Sequence, residues 1–249
     1  MKSSSPRPAA TRLYCDMPLS PGAVIDLPDS AARHAVTVLR LQKGDVLTLF
    51  NGEGGEYRAS LVAVHKHEAR VRVAEFRDVE RESPLAITLA LGISAGERMD
   101  YALQKATELG VSAIAPLATE RSVVKLAGER ADKRLHHWQN VVIAACEQCG
   151  RNRVPVVASV QTLFSYLAGV GGGAGLLMLS PDAATPLKKV PASAAVVLLV
   201  GAEGGFSQAE DEAARSSGFE AVSLGPRILR TETAPVAALA ALQTLWGDL

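Results

Sequence analysis

The sequence predicts an α/β protein in which a small β-domain precedes a mostly parallel sheet with helices on both faces. Three observations support this fold class. Residues 12–79 hold apolar segments joined by a glycine-rich turn, as in antiparallel strands. From Leu85 onward, short apolar runs alternate with helical segments, which is the pattern of a parallel sheet. Near the C-terminus, two apolar runs each lead through a glycine-bearing turn into a helix.

The first domain is predicted to consist mainly of strands. Val46 to Phe50 and Glu56 to His65 read as two strands, and residues 51–55 form a hairpin-type loop rich in residues that accept positive φ. Arg70 to Phe76 alternates in polarity and predicts another strand. Ser30 to Leu39 is the one helix expected here.

A charged run that ends in proline, Asp78 to Pro84, predicts the linker. It divides the chain into a β-domain at 12–79 and an α/β domain at 80–249. Residues 1–11 are rich in serine and proline and are expected to be a disordered tail.

The second domain is predicted as an alternation of strands and helices. Expected strands are Leu85–Gly92, Ile114–Leu117, Val154–Val157, Leu176–Leu179, Val196–Val200 and Ala221–Leu224. Expected helices are Arg98–Leu109, Lys133–Cys149, Gln161–Ala168, Ser207–Ser216 and Ala234–Trp246. Gly110 predicts the end of the first helix, and Ser207 with Glu210 forms a predicted capping box at the start of another.

Composition restricts the function classes without selecting one. The formal net charge is zero, so charge alone does not predict nucleic-acid binding, although basic residues cluster at Lys125 to Arg134 and at Arg151 to Arg153. Such clusters can contact phosphates, but a solvated helix face explains the first of them at least as well. No apolar run reaches the roughly 20 residues of a membrane span.

The cysteines predict packing rather than metal binding or disulfides. There are three, Cys15, Cys146 and Cys149, and an odd count is typical of a reducing cytoplasm. Cys146 and Cys149 form a CxxC pair within a helical run, but no second pair of soft ligands accompanies it. We therefore expect no metal site.

The two glycine-bearing turns are the strongest functional signal. The first is Gly201 to Ser207, and the second is Leu224 to Ala234. Because each follows a strand, both should lie at the carboxyl edge of the sheet, where ligands bind in α/β folds. Neither turn has the lysine of a P-loop, and neither matches the dinucleotide fingerprint.

These turns, GAEGGFSQAE and LGPRILRTETA, resemble the signature of the RsmE family of SPOUT methyltransferases, which methylate N3 of a uridine in 16S ribosomal RNA. The resemblance extends over nearly the whole chain. Further matching segments are Arg12–Tyr14, His34–Leu41, Gly44–Asp45, Asn51–Tyr57, Lys105–Val111, Glu147–Gln148 and Arg151. One departure is Ala202, where the family usually has proline; this removes no reactive group.

The resemblance implies a PUA-like RNA-binding barrel at the N-terminus and a SPOUT domain with a deep C-terminal trefoil knot. It also implies a cytoplasmic homodimer, S-adenosylmethionine as the methyl donor, and 16S RNA within the small ribosomal subunit as the partner. Two alternatives stay open: a SPOUT enzyme that acts on another RNA, such as a ribose 2′-O-methyltransferase, and a non-catalytic RNA-binding protein.

Candidate catalytic residues follow from the chemistry. Uracil N3 must lose its proton, so the site needs a base or a cation that stabilises the anion on O2 and O4. Arg230 is the leading candidate for that cation, with Arg12 reaching in from the β-domain or from a partner subunit. Glu232 would serve as a base, orient Arg230, or only favour the start of a helix.

The cofactor is expected to be held mainly by backbone groups, with Leu224, Ile228 and Leu229 flanking the adenine. The expected cofactor-binding residues are Leu179, Ser180, Pro181, Gly201, Ala202, Glu203, Gly204, Leu224, Gly225, Ile228, Leu229, Arg230, Thr233 and Ala234. The expected RNA contacts are Arg12, Arg40 and Arg151.

Overall fold

The computed structural model describes residues 11–124, 126 and 128–249. The predicted tail at 1–11, apart from Thr11, and Lys125 lie outside the described residues. The chain divides into two units: the first runs to Glu82 and includes Cys146–Val154, and the second holds Ser83–Ala145 and Pro155–Leu249. The division after Glu82 lies inside the charged run predicted as the linker.

The segment 146–154 belongs to the first unit because polar side chains anchor it there. Arg153 Nε donates to the Glu80 carboxylate at 3.1 Å, and Arg151 forms an ion pair with Glu82. The side chain of Asn152 donates to the carbonyl of Val79. The predicted boundary at residue 80 had put Glu80, Glu82 and the whole 146–154 segment in the second domain.

The first unit contains a five-stranded sheet, β1-β3-β4-β5-β2, in which β1 runs parallel to β3 and the other neighbours are antiparallel. The strands are β1 (Arg12–Tyr14), β2 (Val24–Asp26), β3 (Val46–Phe50), β4 (Glu56–His65) and β5 (Glu68–Arg77). Alternate residues such as Leu47, Leu49 and Val71 point into the core. The three central strands lie where the sequence predicts them.

The predicted helix at Ser30 to Leu39 is present in two parts. Helix α1 (Asp29–Arg33) continues into a wider π-helical turn over His34–Val38. That turn ends beside Arg40, whose φ of 54° is unusual for a residue other than glycine.

The second unit contains an eight-stranded parallel sheet, confirming the predicted architecture. Its order is β11-β13-β10-β12-β6-β7-β8, with β9 also pairing with β7. The strands are β6 (Ala86–Gly92), β7 (Ala113–Ala118), β8 (Val156–Val157), β9 (Gln161–Thr162), β10 (Gly175–Leu179), β11 (Thr185–Pro186), β12 (Ala195–Val200) and β13 (Glu220–Ser223). The helices are α2 (Glu97–Glu108), α3 (Glu129–Cys149), α4 (Leu163–Gly169), α5 (Gln208–Ser216) and α6 (Thr233–Trp246), with a 3₁₀ turn at Leu187–Lys189.

Local signals in the sequence set several of these boundaries. Gly110, with a φ of 80°, terminates α2, and the Ser207–Glu210 capping box begins α5, both as predicted. The helix predicted from Gln161 begins later. Thr162 caps it by accepting a hydrogen bond from Ser165 N at 3.2 Å, which leaves Gln161–Thr162 free to pair as β9.

The strands that precede the two glycine turns are not neighbours. Strand β10 lies between β12 and β13 and pairs in parallel with both. The loop after β10 therefore stands between the two turns at the carboxyl edge, so three loops meet there rather than two. Among the described residues, no helix is both long and apolar enough to span a bilayer.

Candidate active site

A cavity of about 470 Å³ opens at the carboxyl edge of the second sheet, within the usual size range of small-molecule sites. The loops after β10, β12 and β13 form its walls, together with the first residues of α5 and α6. Its lining residues are Leu179, Ser180, Pro181, Asp182, Val200, Gly201, Ala202, Glu203, Gly205, Phe206, Ser207, Gln208, Asp211, Val222, Leu224, Gly225, Arg227, Ile228, Leu229, Thr231 and Ala234.

Most of the predicted cofactor-binding residues lie in this lining, whereas Gly204, Arg230 and Thr233 do not. Residues at the start of α5, such as Gln208 and Asp211, also line the cavity, although they were not among the predicted cofactor-binding residues. The capping box that places α5 directly after the first turn was a signal that could have included them.

Gly204 faces a neighbouring loop instead of the cavity. A Cβ at this position would lie 2.7 Å from Arg121 Cβ and 3.2 Å from its carbonyl oxygen. Arg121 Nη1 also donates to the Gly204 carbonyl at 3.1 Å. The requirement for glycine here comes from close loop packing against Arg121, and the contact of Gly204 with the cofactor stays a prediction.

A hydroxyl joins the two glycine turns. Thr231 Oγ1 donates to the Gly201 carbonyl at 3.3 Å and lies 3.2 Å from Ser94 Oγ, just after β6. A single threonine thereby connects three loops at the edge of the sheet.

Glu203 fixes the first turn to the start of α2. Its Oε1 accepts from Ala95 N at 3.0 Å and from Arg98 Nη1 at 3.2 Å. Burial opposes ionisation, but these hydrogen bonds outweigh it and hold the pKa of Glu203 below its usual value. The carboxylate is therefore ionised and committed to positioning the loop.

The start of α5 is fixed by the buried carboxylate of Glu210. Its Oε2 accepts from Ser207 N at 2.9 Å within the capping box, and its Oε1 accepts from Glu120 N, also at 2.9 Å. The loop after β7 is thus attached to the helix that borders the cavity.

Arg230 is exposed, and its side chain makes no hydrogen bond or ion pair within the described part of the chain. Its backbone is well fixed, because its carbonyl accepts from the amides of Thr233 and Ala234, both at 2.9 Å. It directly precedes the cavity-lining Thr231. The arrangement anchors the main chain and leaves a cation free beside the cavity.

Glu232 follows at the start of α6. Its Oε2 is buried and has no hydrogen-bond partner among the described residues. A buried carboxylate oxygen without a partner is costly, so it is a candidate for contact with a ligand or a partner chain.

Arg12 has a structural environment in the first unit. Its Nη1 lies 2.5 Å from Glu56 Oε2, its Nη2 donates to Asn152 Oδ1 at 2.6 Å, and its guanidinium carbon lies 4.9 Å from the centre of the Phe50 ring. Only 11% of its side chain is exposed. A role in RNA contact or catalysis would require Arg12 to leave these partners.

The other two predicted RNA contacts differ sharply from each other. Arg151 is only 4% exposed and holds Glu82 through two nitrogens, so the RNA contact predicted for it would require the side chain to leave this pair. Arg40 is exposed and makes no hydrogen bond or ion pair within the described ranges.

Two of the three cysteines are packed inside the protein, whereas Cys149 is half-buried. Cys15 and Cys146 are buried, and burial raises the pKa of each thiol to about 12. Cys146 Sγ points toward the Arg153 carbonyl at 3.7 Å. Within the described ranges, no group of three or more metal-ligating side chains comes together.

Comparisons with known proteins define the class. Residues 81–243 match the model of an RNA methyltransferase domain, and residues 27–74 match that of an RNA methyltransferase PUA domain. The chain is thus an RNA methyltransferase with an N-terminal PUA domain.

The relatives narrow the class. The ribosomal RNA small subunit methyltransferase E of Buchnera aphidicola is 36% identical over 96% of this chain and 97% of its own length. A crystal structure of the Neisseria gonorrhoeae enzyme of that name, bound to S-adenosylmethionine, is 46% identical over 96% of this chain and 99% of that one, with a TM-score of 0.93. A putative methyltransferase from Legionella pneumophila with bound S-adenosylmethionine is 42% identical over 97% of this chain and all of its own, with a TM-score of 0.90. The chain belongs to the ribosomal RNA small subunit methyltransferase E family.

Proposed function

We propose that this protein transfers a methyl group from S-adenosylmethionine to N3 of a uridine in the 16S RNA of the small ribosomal subunit. The names and bound cofactors of its relatives support the substrate and the methyl donor. The single structural observation that carries the proposal is Arg230, an unpaired cation on a fixed backbone beside the cavity.

The cavity fits such a methyl donor. Leu224, Ile228 and Leu229 offer apolar surface for an adenine ring, and Ile228 is 85% exposed, which is unusual for a large apolar side chain. Asp182 and Asp211 add negative charge that suits a sulfonium and an amino group. When bound, the donor supplies a methyl group already activated on sulfur, so the protein needs neither a metal nor a covalent intermediate.

The protein's own contribution is to position the uracil and stabilise its anion. Arg230 would hold the negative charge that develops on the uracil carbonyl oxygens as the N3 proton leaves. Glu232 would either accept that proton or orient Arg230, and its unpartnered Oε2 suits both roles. Thr233 and Gly204 would support the site from outside the cavity.

The same proposal includes the features that the family resemblance implies. The enzyme would act in the cytoplasm as a homodimer with a knotted C-terminal segment. Arg12 would contribute to the site only if RNA binding or a partner subunit displaced it from Glu56.

The test is methylation of small ribosomal subunits from a strain that lacks this gene. Purified protein and S-adenosylmethionine should convert one uridine to 3-methyluridine, detected by chromatography and mass spectrometry of digested 16S RNA. Formation of 2′-O-methyluridine would assign the ribose specificity instead, and absence of any methylated nucleoside would contradict the proposal.

A further inference from the structure

Four basic side chains share one face of the first half of α3. Arg130, Lys133, Arg134 and His137 occupy positions i, i+3, i+4 and i+7, which a helix brings into one row. Together with Leu126 they line a depression of about 340 Å³. We call it the α3 depression.

The lining of the α3 depression is basic. Among the described residues, none of those that line it is acidic. Glu129 lies 3.9 Å from Lys133 Nζ, but both side chains are more than 80% exposed, so the pair is weak. Arg130 and Arg134 make no ion pair or hydrogen bond within the part of the chain that the structure describes.

His137 is the one member with a close acidic partner. Its Nε2 lies 2.7 Å from Asp100 Oδ2, on α2. This contact fixes His137, the last residue of the row along α3. Arg130 and Arg134, which precede it, stay available to bind a ligand.

The row does not serve the stability of the helix. The first turn of α3 holds the carboxylates of Glu129 and Asp132, which suit the positive end of the helix dipole, whereas Arg130 opposes it. Arg134 lies in the second turn, where the dipole has little effect. The dipole therefore gives neither arginine a stabilising role in α3.

The depression lies on the same edge of the sheet as the cavity. Residues 119–128 connect the carboxyl end of β7 to α3, and the start of this connection is attached to the cavity: Glu120 N donates to Glu210, and Arg121 to the Gly204 carbonyl. Helix α2, which supplies Asp100, begins after Ala95, whose amide donates to Glu203. Helix α2 and the connection from β7 to α3, which border the depression, are therefore both attached to the first glycine turn.

We propose that the α3 depression binds the sugar–phosphate backbone of the RNA next to the target uridine. The inference rests on the proposed RNA-methylating function and adds a contact surface in the second unit. Arginines recognise phosphate oxygens through paired N–H groups, and a row along a helix follows successive phosphates.

The test compares the binding of the full-length protein to unmethylated small ribosomal subunits at several KCl concentrations. The Arg130→Gln, Arg134→Gln double variant should bind about tenfold more weakly or worse. The slope of log affinity against log salt should be shallower by about 1.5, as expected when roughly two phosphate contacts are lost. S-adenosylmethionine affinity, measured by calorimetry, should not change.

Two further variants exclude a structural explanation. The Lys188→Gln, Lys189→Gln double variant removes two exposed charges next to strand β11, which lies at the other side of the sheet from β7. This variant should keep the wild-type slope. Arg130→Lys with Arg134→Lys keeps the charges and should recover most of the salt dependence.

If the glutamine variant binds with wild-type affinity and the wild-type slope of log affinity against log salt, the inference is wrong. The depression would then be assigned to an acidic protein surface instead of RNA. Methylation of the same subunits by the wild-type protein, assayed separately with S-adenosylmethionine, would show that the proposed function stands regardless. Failure of the wild type to methylate, alongside a clear loss of RNA binding in the glutamine variant, would support the depression and contradict the reaction.

Discussion

The hydroxyl of Thr231 donates to the carbonyl of Gly201 across 3.3 Å and so joins the two glycine turns that border the cavity. These residues are 30 positions apart in the chain, and strand β10 separates the strands that carry them. The same hydroxyl lies 3.2 Å from Ser94 Oγ. The shape of the cavity therefore depends on a contact that neither turn makes by itself.

Replacing Thr231 with valine should weaken cofactor binding without unfolding the protein. Valine keeps the shape of the side chain but removes one part-buried hydrogen bond and leaves the Gly201 carbonyl without this donor, a loss of about 1–2 kcal/mol. Calorimetry should show affinity for S-adenosylmethionine reduced by roughly 5- to 30-fold. Thr231→Ser should stay near wild type, as should Thr244→Val, which removes a hydroxyl that bonds only within α6. Equal affinities in Thr231→Val and wild type would show that the link has no role.

Gly92→Ala should disrupt the site through the backbone. A Cβ at Gly92 would lie 2.4 Å from Ala202 N and 2.9 Å from Gly201 C, so the first turn would have to move. We expect a loss of about 1–3 kcal/mol in unfolding free energy, typical of overpacking, and a loss of cofactor affinity. Gly171→Ala is the matched control, because nothing lies within 4 Å of its Cβ position. A Gly92→Ala protein with wild-type melting temperature and affinity would show that the turn is looser than this contact implies.

Arg230→Ala should lower methyl transfer by about 10²-fold or more, the effect of removing a partner of transition-state charge. Cofactor affinity and melting temperature should change little, because the side chain makes no hydrogen bond or ion pair within the described chain and does not line the cavity. Single-turnover methylation of small subunits measures the effect, and Arg230→Lys should recover part of it. Wild-type turnover in Arg230→Ala would exclude charge stabilisation by this residue.

Glu232→Gln separates the two roles proposed for the carboxylate. If Glu232 accepts the N3 proton, the amide should remove the acid limb of the pH–rate profile. If it only orients Arg230, the variant should be slower with the same profile.

Glu56→Gln should destabilise the first unit in a pH-dependent manner. Burial raises the pKa of Glu56, but the hydrogen bond and charge of Arg12 outweigh it, and the net pKa is lowered. A lowered folded-state pKa contributes stability above the unfolded-state value, and that contribution disappears as the pH falls through the folded-state pKa. The variant should lose on the order of 3 kcal/mol at pH 7, as for a broken buried pair, and the difference should shrink in acid. Urea titrations across this pH range measure it, and a difference independent of pH would contradict the assignment.

Iodoacetamide at pH 8 should modify Cys149 in the native protein and leave Cys15 and Cys146 unmodified. The latter two thiols are fully buried, and burial raises their pKa to about 12, so they present almost no thiolate. Peptide mass spectrometry identifies the modified residue. Labelling of Cys146 in folded protein would contradict its placement as a packed side chain.

The fold of both units and the position of the cavity could be predicted because short-range features of the sequence agree with one another. Apolar runs of strand length, Gly110 and the Ser207–Glu210 box each have a short-range physical meaning, and the structure places them accordingly. Gly201 and Gly225 led to the cavity because loops at the carboxyl ends of parallel strands must lie at one edge.

The partners of individual side chains could not be predicted in this way. Arg12 and Arg151 were predicted to contact RNA, and no feature of the sequence indicates that each is buried against a carboxylate 44 or 69 residues away. Nothing in the sequence places Arg121 against Gly204 either. Pairings over such distances depend on the tertiary fold, which periodicity and turn chemistry do not encode.

The connections among Ser94, Gly201 and Thr231 also bear on how the protein folds. The first and last of these positions are 137 residues apart. The cavity therefore has no complete wall until segments this distant in sequence have come together. Contacts this distant in sequence form slowly, because a long loop must close before any of them is gained. Cofactor binding should consequently be among the last properties acquired on refolding, well after helical structure returns.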